Sequence, residues 1–443
     1  MASDLLSIAA SGARAARGAL AITAQNIANA SSEGYVRRSA RMEEVSAAGG
    51  QGRVGDISLS GARIAGVHRN ADMFRQAEVR RTGSDLARAD TELRGLENIE
   101  ASIEQSGVFD SIVEFEASLQ QLSTDPTDPS LRAAVLAGAD TLARKFNIAV
   151  ETLDAAGEGV RFDAAAAVDE ANVIGGELAR VNLRLARAGA GSSDRASLLD
   201  QRDALLERMS GVVDISTSFA ADGSVTVETG GATLVSGGNS ATLSMTTDAA
   251  NGTIAFAVGG AAVQPSGGSL AGAALALEAG ADARARLDTI ADGISTTVNA
   301  AQAAGVALDG TPGQPIFGGA GAAGIRVTVG DSGALATAPA GAPAGSLDGS
   351  NLAALRQALD DSGAAKSMNG LLFDVSSAVS GRTVTRDAID SIAASARISL
   401  EQQAGVDLDT EAANLMRFQQ AFQASGRAMQ VASNIFDTLL QLR

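Results

Sequence analysis

Acidic side chains are grouped in the middle of the chain, at a spacing that could carry out acid–base chemistry or bind a cation. They are Asp194, Asp200, Asp203 and Glu207. Paired carboxylates serve as general acid and base, and side chains three or four residues apart share one face of a helix. Three arginines stand among them, Arg195, Arg202 and Arg208. Because the carboxylates have cationic neighbours, we expect a salt-bridged helix surface here and no catalytic pair.

A glycine-rich segment is the second candidate for chemistry. Residues 319–324, GAGAAG, have the G-x-G-x-x-G spacing of dinucleotide-binding loops. Such a loop follows a strand and opens a helix, whose N-terminus holds the pyrophosphate. Here a predicted strand, IRVTV at 325–329, follows the segment instead. We therefore expect no phosphate-binding role.

The remaining chemistry-bearing residues are few and scattered. The chain has one histidine, His68, and no cysteine, so neither a Ser-His-Asp arrangement nor a thiolate metal site can be argued. Asp125 and Asp128 lie in the run TDPTDPS, which lacks the glycine and distal glutamate of an EF-hand. We expect no enzymatic activity, no cofactor and no bound metal.

The composition narrows the classes of partner. The net charge is −17 over 443 residues, which disfavours nucleic acid because phosphate binding needs a basic face. No run approaches the roughly 20 apolar residues of a membrane helix, and no basic and apolar leader opens the chain. We expect a protein with no nucleic-acid or membrane partner and no cleaved signal peptide. Its length predicts about two to four domains.

The N-terminal residues 3–30 have the pattern of a helix. Apolar or small side chains recur there in steps of three and four residues, at Leu5, Ile8, Gly12, Ala15, Ala19 and Ile22. Asn26 and Asn29 continue the same stripe. Asparagine bonds readily to nearby backbone and tolerates left-handed turns, so we expect the helix to end in the polar segment that follows, with Gly34 allowing a bend. Next comes Tyr35, the one tyrosine of the chain, whose ring we expect to be buried while its hydroxyl stays hydrated.

The C-terminal helix, predicted at 407–442, has the most regular stripe. One set of positions recurs every seven residues, at Leu408, Leu415, Phe422, Met429 and Phe436. The alternate positions hold Phe418, Ser425, Ala432 and Leu439. A repeat of seven over several turns is typical of a coiled-coil seam. Two interpretations remain open: the terminal helices close one bundle within the monomer, or the seam is completed only in an assembly.

Between the termini the pattern is mainly helical. Helices are predicted at 73–106, 130–156, 161–188, 194–211, 269–304 and 351–404, the last with a break near Gly363 and Lys366. Residues 31–72 favour extended chain or a hairpin, and residues 212–266 have the short β-branched runs of a small antiparallel domain. The expected fold class is α+β: an elongated multi-domain rod of terminal coiled-coil helices and a helical bundle, with the β domain inserted.

Four stretches of the chain resemble one protein family. GALAITAQNIANASSEGYVRR (18–38) and the last helix (405–442) are similar to the opening and closing segments of the flagellar axial proteins, which include rod, hook and hook-associated proteins. SLLDQRDALLERMSGVVDIS (197–216) resembles a signature of the members at the hook–filament junction, and 223–237 resembles the β stretch that follows it there. The chain departs from the pattern in its short β region and in Arg37-Arg38, where Arg-Gln is more usual.

The resemblance implies a structural subunit, without catalysis, at the junction between hook and filament. Its implied partners are copies of itself in a ring or helical layer, the hook protein, the adjacent junction protein, the flagellin filament and a cytoplasmic export chaperone. Its implied place is outside the cell, after passage through the flagellar export apparatus. The alternatives are another axial protein (hook, rod or second junction protein) and a secreted adhesin. The LLDQRD segment disfavours the first, and the scarcity of aromatics in 212–266 disfavours the second.

The resemblance also implies the division of the chain. Residues 1–35 and 405–443 would form the terminal assembly domain, 36–211 with 267–404 the helical domain, and 212–266 the β domain. The assembly interface would use the two stripes with Asn26, Asn29 and Tyr35, although Tyr35 can equally be an ordinary packing aromatic. The signature side chains, expected to be structural, are Leu198, Leu199, Asp200, Gln201, Arg202 and Asp203.

Overall fold

The computed structural model describes residues 2–32, 34–44 and 61–441, without the side chains of residues 2–4 and 439–441. Helices dominate the described part. They are α1 (Ala2–Ala28), α2 (Met73–Ser106), α3 (Val108–Leu122), α4 (Pro129–Leu185), α5 (Ser193–Val212), α6 (Gly268–Ala304), α7 (Gly321–Gly324), α8 (Ser350–Ser362), α9 (Ala364–Ala404) and α10 (Leu408–Gln441). Both terminal helices are confirmed, and so is the break before α9, where Gly363 takes the left-handed conformation with φ 63°.

The strands are short. They are β1 (Arg38–Glu44), β2 (Ala62–Arg69), β3 (Ser216–Phe219), β4 (Val225–Thr229), β5 (Ala232–Ser236), β6 (Asn239–Ser240), β7 (Leu243–Thr247), β8 (Ile254–Val258), β9 (Ala261–Val263), β10 (Gly305–Val306), β11 (Phe317–Gly318), β12 (Arg326–Val327) and β13 (Ala338–Pro339). β1 and β2 pair antiparallel, with a register shift between Arg41 and Met42, as expected for a hairpin. With the helices, these small sheets confirm the α+β class.

Three local predictions need correction. Residues predicted as two helices, 130–156 and 161–188, form the single helix α4, and α3 occupies residues to which no element was assigned. Glycine in a helix interior costs about 1 kcal/mol relative to alanine, but Leu153 and Ala164 on either side of Gly157 are buried, so packing stabilises one continuous helix. The predicted strand 325–329 is reduced to β12, which pairs with β11.

The strands of 212–266 form two sheets. One has the order β3-β4-β5-β6 and the other β7-β8-β9. Val225 and Val227 alternate with exposed or half-exposed neighbours along β4, which is the pattern of a sheet with one buried face. Whether this region acts as one domain stays a prediction.

The chain divides into two compact units. Unit 1 comprises Met1–Ser84, Glu170–Leu243 and Asp390–Arg443, and unit 2 comprises Asp85–Asp169 and Ser244–Ile389. The three-part division inferred from the family resemblance also stays a prediction.

Unit 2 has a hydrophobic core built from its long helices and the irregular stretch before α8. Phe115 and Phe317 meet edge to face at its centre, with ring centroids 6.0 Å apart. The guanidinium of the fully buried Arg132 donates to the carbonyl oxygens of Pro126, Ser332, Gly333 and Leu335 and to the Thr337 hydroxyl. One buried side chain thus joins the loop before α4 to the irregular stretch before α8.

Unit 1 contains the terminal helices, the β1–β2 hairpin, α5 and the sheet β3–β6. Its core includes Leu178, Leu185, Leu206, Met209 and Val235, all buried. One of its segments, Leu5–Ala28, is long and apolar enough to cross a membrane by length and composition alone. The expectation that no segment approaches a membrane span is therefore wrong on this criterion, although a helix that packs inside a protein passes the same test.

Candidate functional site

The two ends of the chain meet in unit 1, where α1 packs against α10 along its length. The two helices come close together at a glycine: a Cβ at Gly12 would lie 3.0 Å from Ser425 Oγ. Small residues let helix backbones come close together, so the Ala- and Gly-rich helix at one end accepts the bulkier helix at the other. The pairing of the two predicted stripes is thus present in the single chain.

The stripe of α10 is only partly covered by this pairing. Ala432 is buried, and Leu415, Phe418 and Met429 are half-buried. Three members remain exposed, Leu408 by 53%, Phe422 by 43% and Phe436 by 51%. Leu439 lies in the helix, but its side chain is outside the described part. Large apolar side chains on the predicted seam therefore still face solvent in the monomer.

The stripe of α1 changes along the helix. Ala15, Ala19 and Ile22 are buried, whereas Leu5 and Ile8 are exposed. Beside Leu5 and Ile8 lies an open, mainly apolar groove of about 810 Å³, lined also by Ala62 of the hairpin and by Ala428 and Val431 of α10. The N-terminal part of α1 and the C-terminal part of α10 thus share the exposed apolar surface.

At the C-terminal end of α1, the side chain of Asn26 forms hydrogen bonds to the turn that follows the helix. Its Oδ1 accepts from the Arg38 N–H at 3.0 Å and from the Tyr35 hydroxyl at 2.8 Å, and its Nδ2 donates to the Arg38 carbonyl at 2.8 Å. Gly34 takes φ 74°, a left-handed conformation that favours glycine, which confirms the predicted bend. Asn29 bonds to its own helix instead, since its side-chain amide donates to the Gln25 carbonyl.

Tyr35 differs from its prediction in one respect. Its ring is half-buried, with the Arg38 guanidinium 5.0 Å from the ring centroid. The hydroxyl is bonded to Asn26 and is not simply hydrated, because the turn folds the phenol back onto α1. Burial raises the pKa of Tyr35 above its usual 10.0, the positive charge of Arg38 opposing that rise.

The signature helix α5 contributes a buried ion network. Asp200 accepts from Arg38 Nη2 at 2.7 Å and from Arg69 Nε at 2.6 Å. Asp203 accepts from Arg69 Nη1 at 2.7 Å and from Arg202 Nη2 at 2.6 Å. The predicted salt-bridged surface is therefore wrong for these two aspartates, because the β1–β2 hairpin covers their face of the helix. It holds for Glu207, which pairs with Arg397 where both are exposed.

The network sets the charge state of Asp203. Burial raises the pKa of this carboxyl, but the Arg69 and Arg202 guanidiniums and their hydrogen bonds outweigh burial and hold the pKa below its usual 3.8. Gln76 adds a further bond, donating to Asp203 Oδ2 at 2.9 Å. Both oxygens of Asp203 thus have a charged hydrogen-bond partner, which a buried carboxylate requires. Asp203 is therefore ionised at neutral pH.

A second set of polar contacts holds the start of α10 and the end of α9 in place. Arg37 Nε donates to Glu411 Oε1 at 2.7 Å, and the Glu411 side chain is 2% exposed. The Arg37 N–H donates to the Ala404 carbonyl at 2.8 Å, and Asn70 Nδ2 donates to the Gln403 carbonyl at 2.6 Å. Arg37 and Arg38, which follow the turn at the end of α1, thus contact α5, the end of α9 and α10.

Several of these residues were missed in the sequence. Arg69, Gln76 and Glu411 carry no spacing signal, because each meets its partner from a distant segment. In the sequence, Arg37 and Arg38 stood out only as a departure from the family pattern. In the structure they bind Glu411 of α10 and Asp200 of α5. Of the other signature residues, Leu198 and Leu199 are half-buried and Gln201 is exposed.

The glycine-rich segment has its own partners. The N–H groups of Gly321 and Ala322, which would face a phosphate in a dinucleotide site, donate to Asp292 and Asp288 at 2.7 Å each. His68 lies in β2, where it pairs with Ser39 of β1. In the described ranges no cluster of three or more His, Cys, Asp or Glu residues could hold a metal ion.

Two family models match parts of the chain. The family model described as the flagellar hook-associated protein FlgK helical domain matches residues 93–317, just over half of the chain. The model described as the flagellar basal body rod FlgEFG protein C-terminal matches residues 401–442, which include α10.

Individual relatives are similar over about half of the chain. Flagellar hook-associated protein 1 of Escherichia coli is 28% identical over 51% of this chain and 41% of its own. The same protein of Bacillus subtilis is 26% identical over 48% of this chain and 45% of its own. The protein of Salmonella typhimurium is 29% identical over 53% of this chain and 43% of its own. The structure of the flagellar hook junction protein FlgK from Burkholderia pseudomallei has 25% identity and a TM-score of 0.49, and covers 54% of this chain and 46% of its own.

The chain spans less than half the length of these curated relatives. The matched family model nonetheless runs from α2 to β11. It includes α5 with its buried aspartates. The chain belongs to the family of the flagellar hook-associated protein FlgK.

Proposed function

We propose that this chain is a structural component of the bacterial flagellum that forms the junction between hook and filament. It does so by self-assembly through α1 and α10, and it carries out no catalysis. The observation that carries the proposal is the incomplete seam on the terminal helix pair, where Leu408, Phe422 and Phe436 face solvent beside Leu5 and Ile8.

The physical argument is hydrophobic. Contiguous exposed apolar surface on a single chain marks an interaction site, and covering it releases about 25 cal/mol for each Å² of apolar area removed from water. The exposed side chains lie on the two helices that pair, so a neighbouring copy would cover both at once. The net charge of −17 keeps free chains apart, which favours assembly on an existing tip over aggregation in solution.

The partners follow from the names of the relatives, which are hook-associated proteins. We propose contacts with copies of the chain in a ring or helical layer, with the hook protein below, and with the adjacent junction protein and flagellin filament above. Export through the flagellar apparatus to the outside of the cell, with a cytoplasmic chaperone bound beforehand, belongs to the same proposal.

Binding to isolated hooks tests the proposal. Purified, labelled chain is mixed with hooks and located by electron microscopy, beside a truncated chain that lacks residues 407–443. We expect label at the distal hook tip with the full chain and none with the truncated one. Label along the shaft, or no label, would reject the junction role. Equal binding of the truncated chain would reject assembly through α10.

A further inference from the structure

The apolar side chains that α1 buries, partly against α10 and partly against the β1–β2 hairpin, are nearly uniform in size. They are alanines except for one isoleucine: Ala9, Ala13, Ala15, Ala16, Ala19 and Ile22. If α10 slid along α1 by one helical turn, most of its side chains would meet another small residue. Packing alone therefore discriminates weakly between registers of the two helices. In coiled coils a single polar residue in the seam specifies the register.

The contact between Arg37 and Glu411, in contrast, depends strongly on the register of the two helices. The Glu411 carboxylate is 2% exposed and accepts a charged hydrogen bond of 2.7 Å. One helical turn is about 5.4 Å, so a slip of one turn would carry Glu411 beyond hydrogen-bonding reach of Arg37. A buried carboxylate would then lose its cation, which is strongly unfavourable.

Arg37 is itself fixed relative to α1. Its neighbour Arg38 is held by Asn26 of α1 at both backbone groups, and its own carbonyl accepts from the Asn70 N–H at 2.9 Å. Arg38 is fixed a second time by Asp200 of α5. Arg37 therefore keeps a fixed position relative to α1, whereas Glu411 moves with α10.

We propose that Arg37 and Glu411 are positioning residues that select the register in which α10 pairs with α1. The hydrophobic seam supplies the attraction, and the ion pair decides which side chains meet. The inference concerns the folded chain alone and does not depend on the proposed function.

Disulfide trapping measures the register directly, because the chain has no cysteine of its own. A Cβ at Gly12 would lie 3.9 Å from the Ser425 Cβ, within the usual separation of about 3.5–4.5 Å for a disulfide. The pair Gly12→Cys and Ser425→Cys therefore reports the native register. Gly12→Cys with Ala421→Cys, or with Ala428→Cys, reports a slip of about one turn in either direction. Each pair is oxidised in the full chain at high dilution.

Glu411→Gln is then introduced into all three pairs. We expect the ratio of slipped to native disulfide to rise on the order of tenfold, because the buried partner of Arg37 has lost its charge. Asp409→Asn, on the same first turn of α10 but exposed, removes the same charge and should leave the ratio unchanged. Arg37→Glu combined with Glu411→Arg should restore the native disulfide.

Three results would overturn the proposal. In the first, Glu411→Gln gives the same ratio as the parent. In the second, it abolishes all three disulfides, which would mean that the pair holds α10 in place without selecting its register. In the third, Asp409→Asn changes the ratio as much as Glu411→Gln does, which would make the effect one of net charge. Circular dichroism of each variant establishes that α10 is still helical.

Discussion

Asn26 holds Arg38 as a neighbouring strand would, accepting from its N–H at 3.0 Å and donating to its carbonyl at 2.8 Å. The same two-bond arrangement joins Asn172 to Leu243, Asn182 to Val225 and Asn299 to Phe317. Each asparagine lies on a helix and each partner begins or flanks a strand. A carboxamide has one acceptor and one donor group, so it satisfies both backbone groups of the first residue of a strand.

Asn26→Ala tests this relationship. Both backbone groups of the buried Arg38 and the Tyr35 hydroxyl lose a partner, so we expect a loss of about 2–4 kcal/mol in the free energy of unfolding. Asn29→Ala, which removes two exposed bonds, one to the Gln25 carbonyl and one from the Ser32 hydroxyl, is the matched control and should cost less than about 1 kcal/mol. Urea unfolding followed by the fluorescence of the single tyrosine reports this region, since the chain has no tryptophan. Equal losses in the two variants would show that the Arg38 contact is unimportant.

Tyr35 should titrate above a free tyrosine. Burial disfavours the phenolate, and the Arg38 charge only partly offsets that effect. Because the folded pKa lies above the unfolded value, the phenol contributes stability below the unfolded pKa and loses it as the pH rises through the folded pKa. The ultraviolet absorbance of tyrosinate gives the titration without interference from a second tyrosine. Tyr35→Phe should flatten the alkaline part of the stability profile, whereas a titration at the usual value would contradict the buried position.

Asp203 should govern stability in acid. Its pKa is held below 3.8 by Arg69 and Arg202 despite burial. A folded pKa below the unfolded value means that the contribution is present above the unfolded pKa and disappears as the pH falls through the folded pKa. Asp203→Asn should therefore lower stability by about 3–5 kcal/mol at neutral pH and reduce its dependence on pH in the acid range. Asp194→Asn, at an exposed position of the same helix, should change neither; an equal effect of both variants would contradict the network.

Phe422→Asp and Phe436→Asp test the seam. Both side chains are about half exposed in the monomer, so we expect the variants to be produced and folded but to fail in binding hooks and in restoring motility to cells that lack the natural chain. Phe162→Asp is the control, since Phe162 is 76% exposed on α4, away from the terminal helices in sequence. Normal motility with Phe422→Asp would contradict assembly through this stripe.

Some elements of the fold could be predicted closely from the sequence, and others could not. Both terminal helices were predicted within two residues, and the break at Gly363 was predicted at its position, because period, capping and left-handed glycine are local properties. The split of α4 was predicted wrongly, since local propensity suggested an interruption that the packing of the flanking residues Leu153 and Ala164 overrode. The two sheets within 212–266 could not be separated, because strand pairing depends on neighbours distant in the chain.

The sequence by itself determined where the long helices lie, which stripe each presents, and to which family the pattern is similar. Those features are periodic or contiguous, so a single chain displays them. Only the tertiary structure decided that Arg38, Arg69, Asp200 and Asp203 form one buried network and that Arg37 meets Glu411. The physical reason is that a charge has no periodicity that reveals its partner: an aspartate on a helix has the same sequence signature whether water or a hairpin covers it.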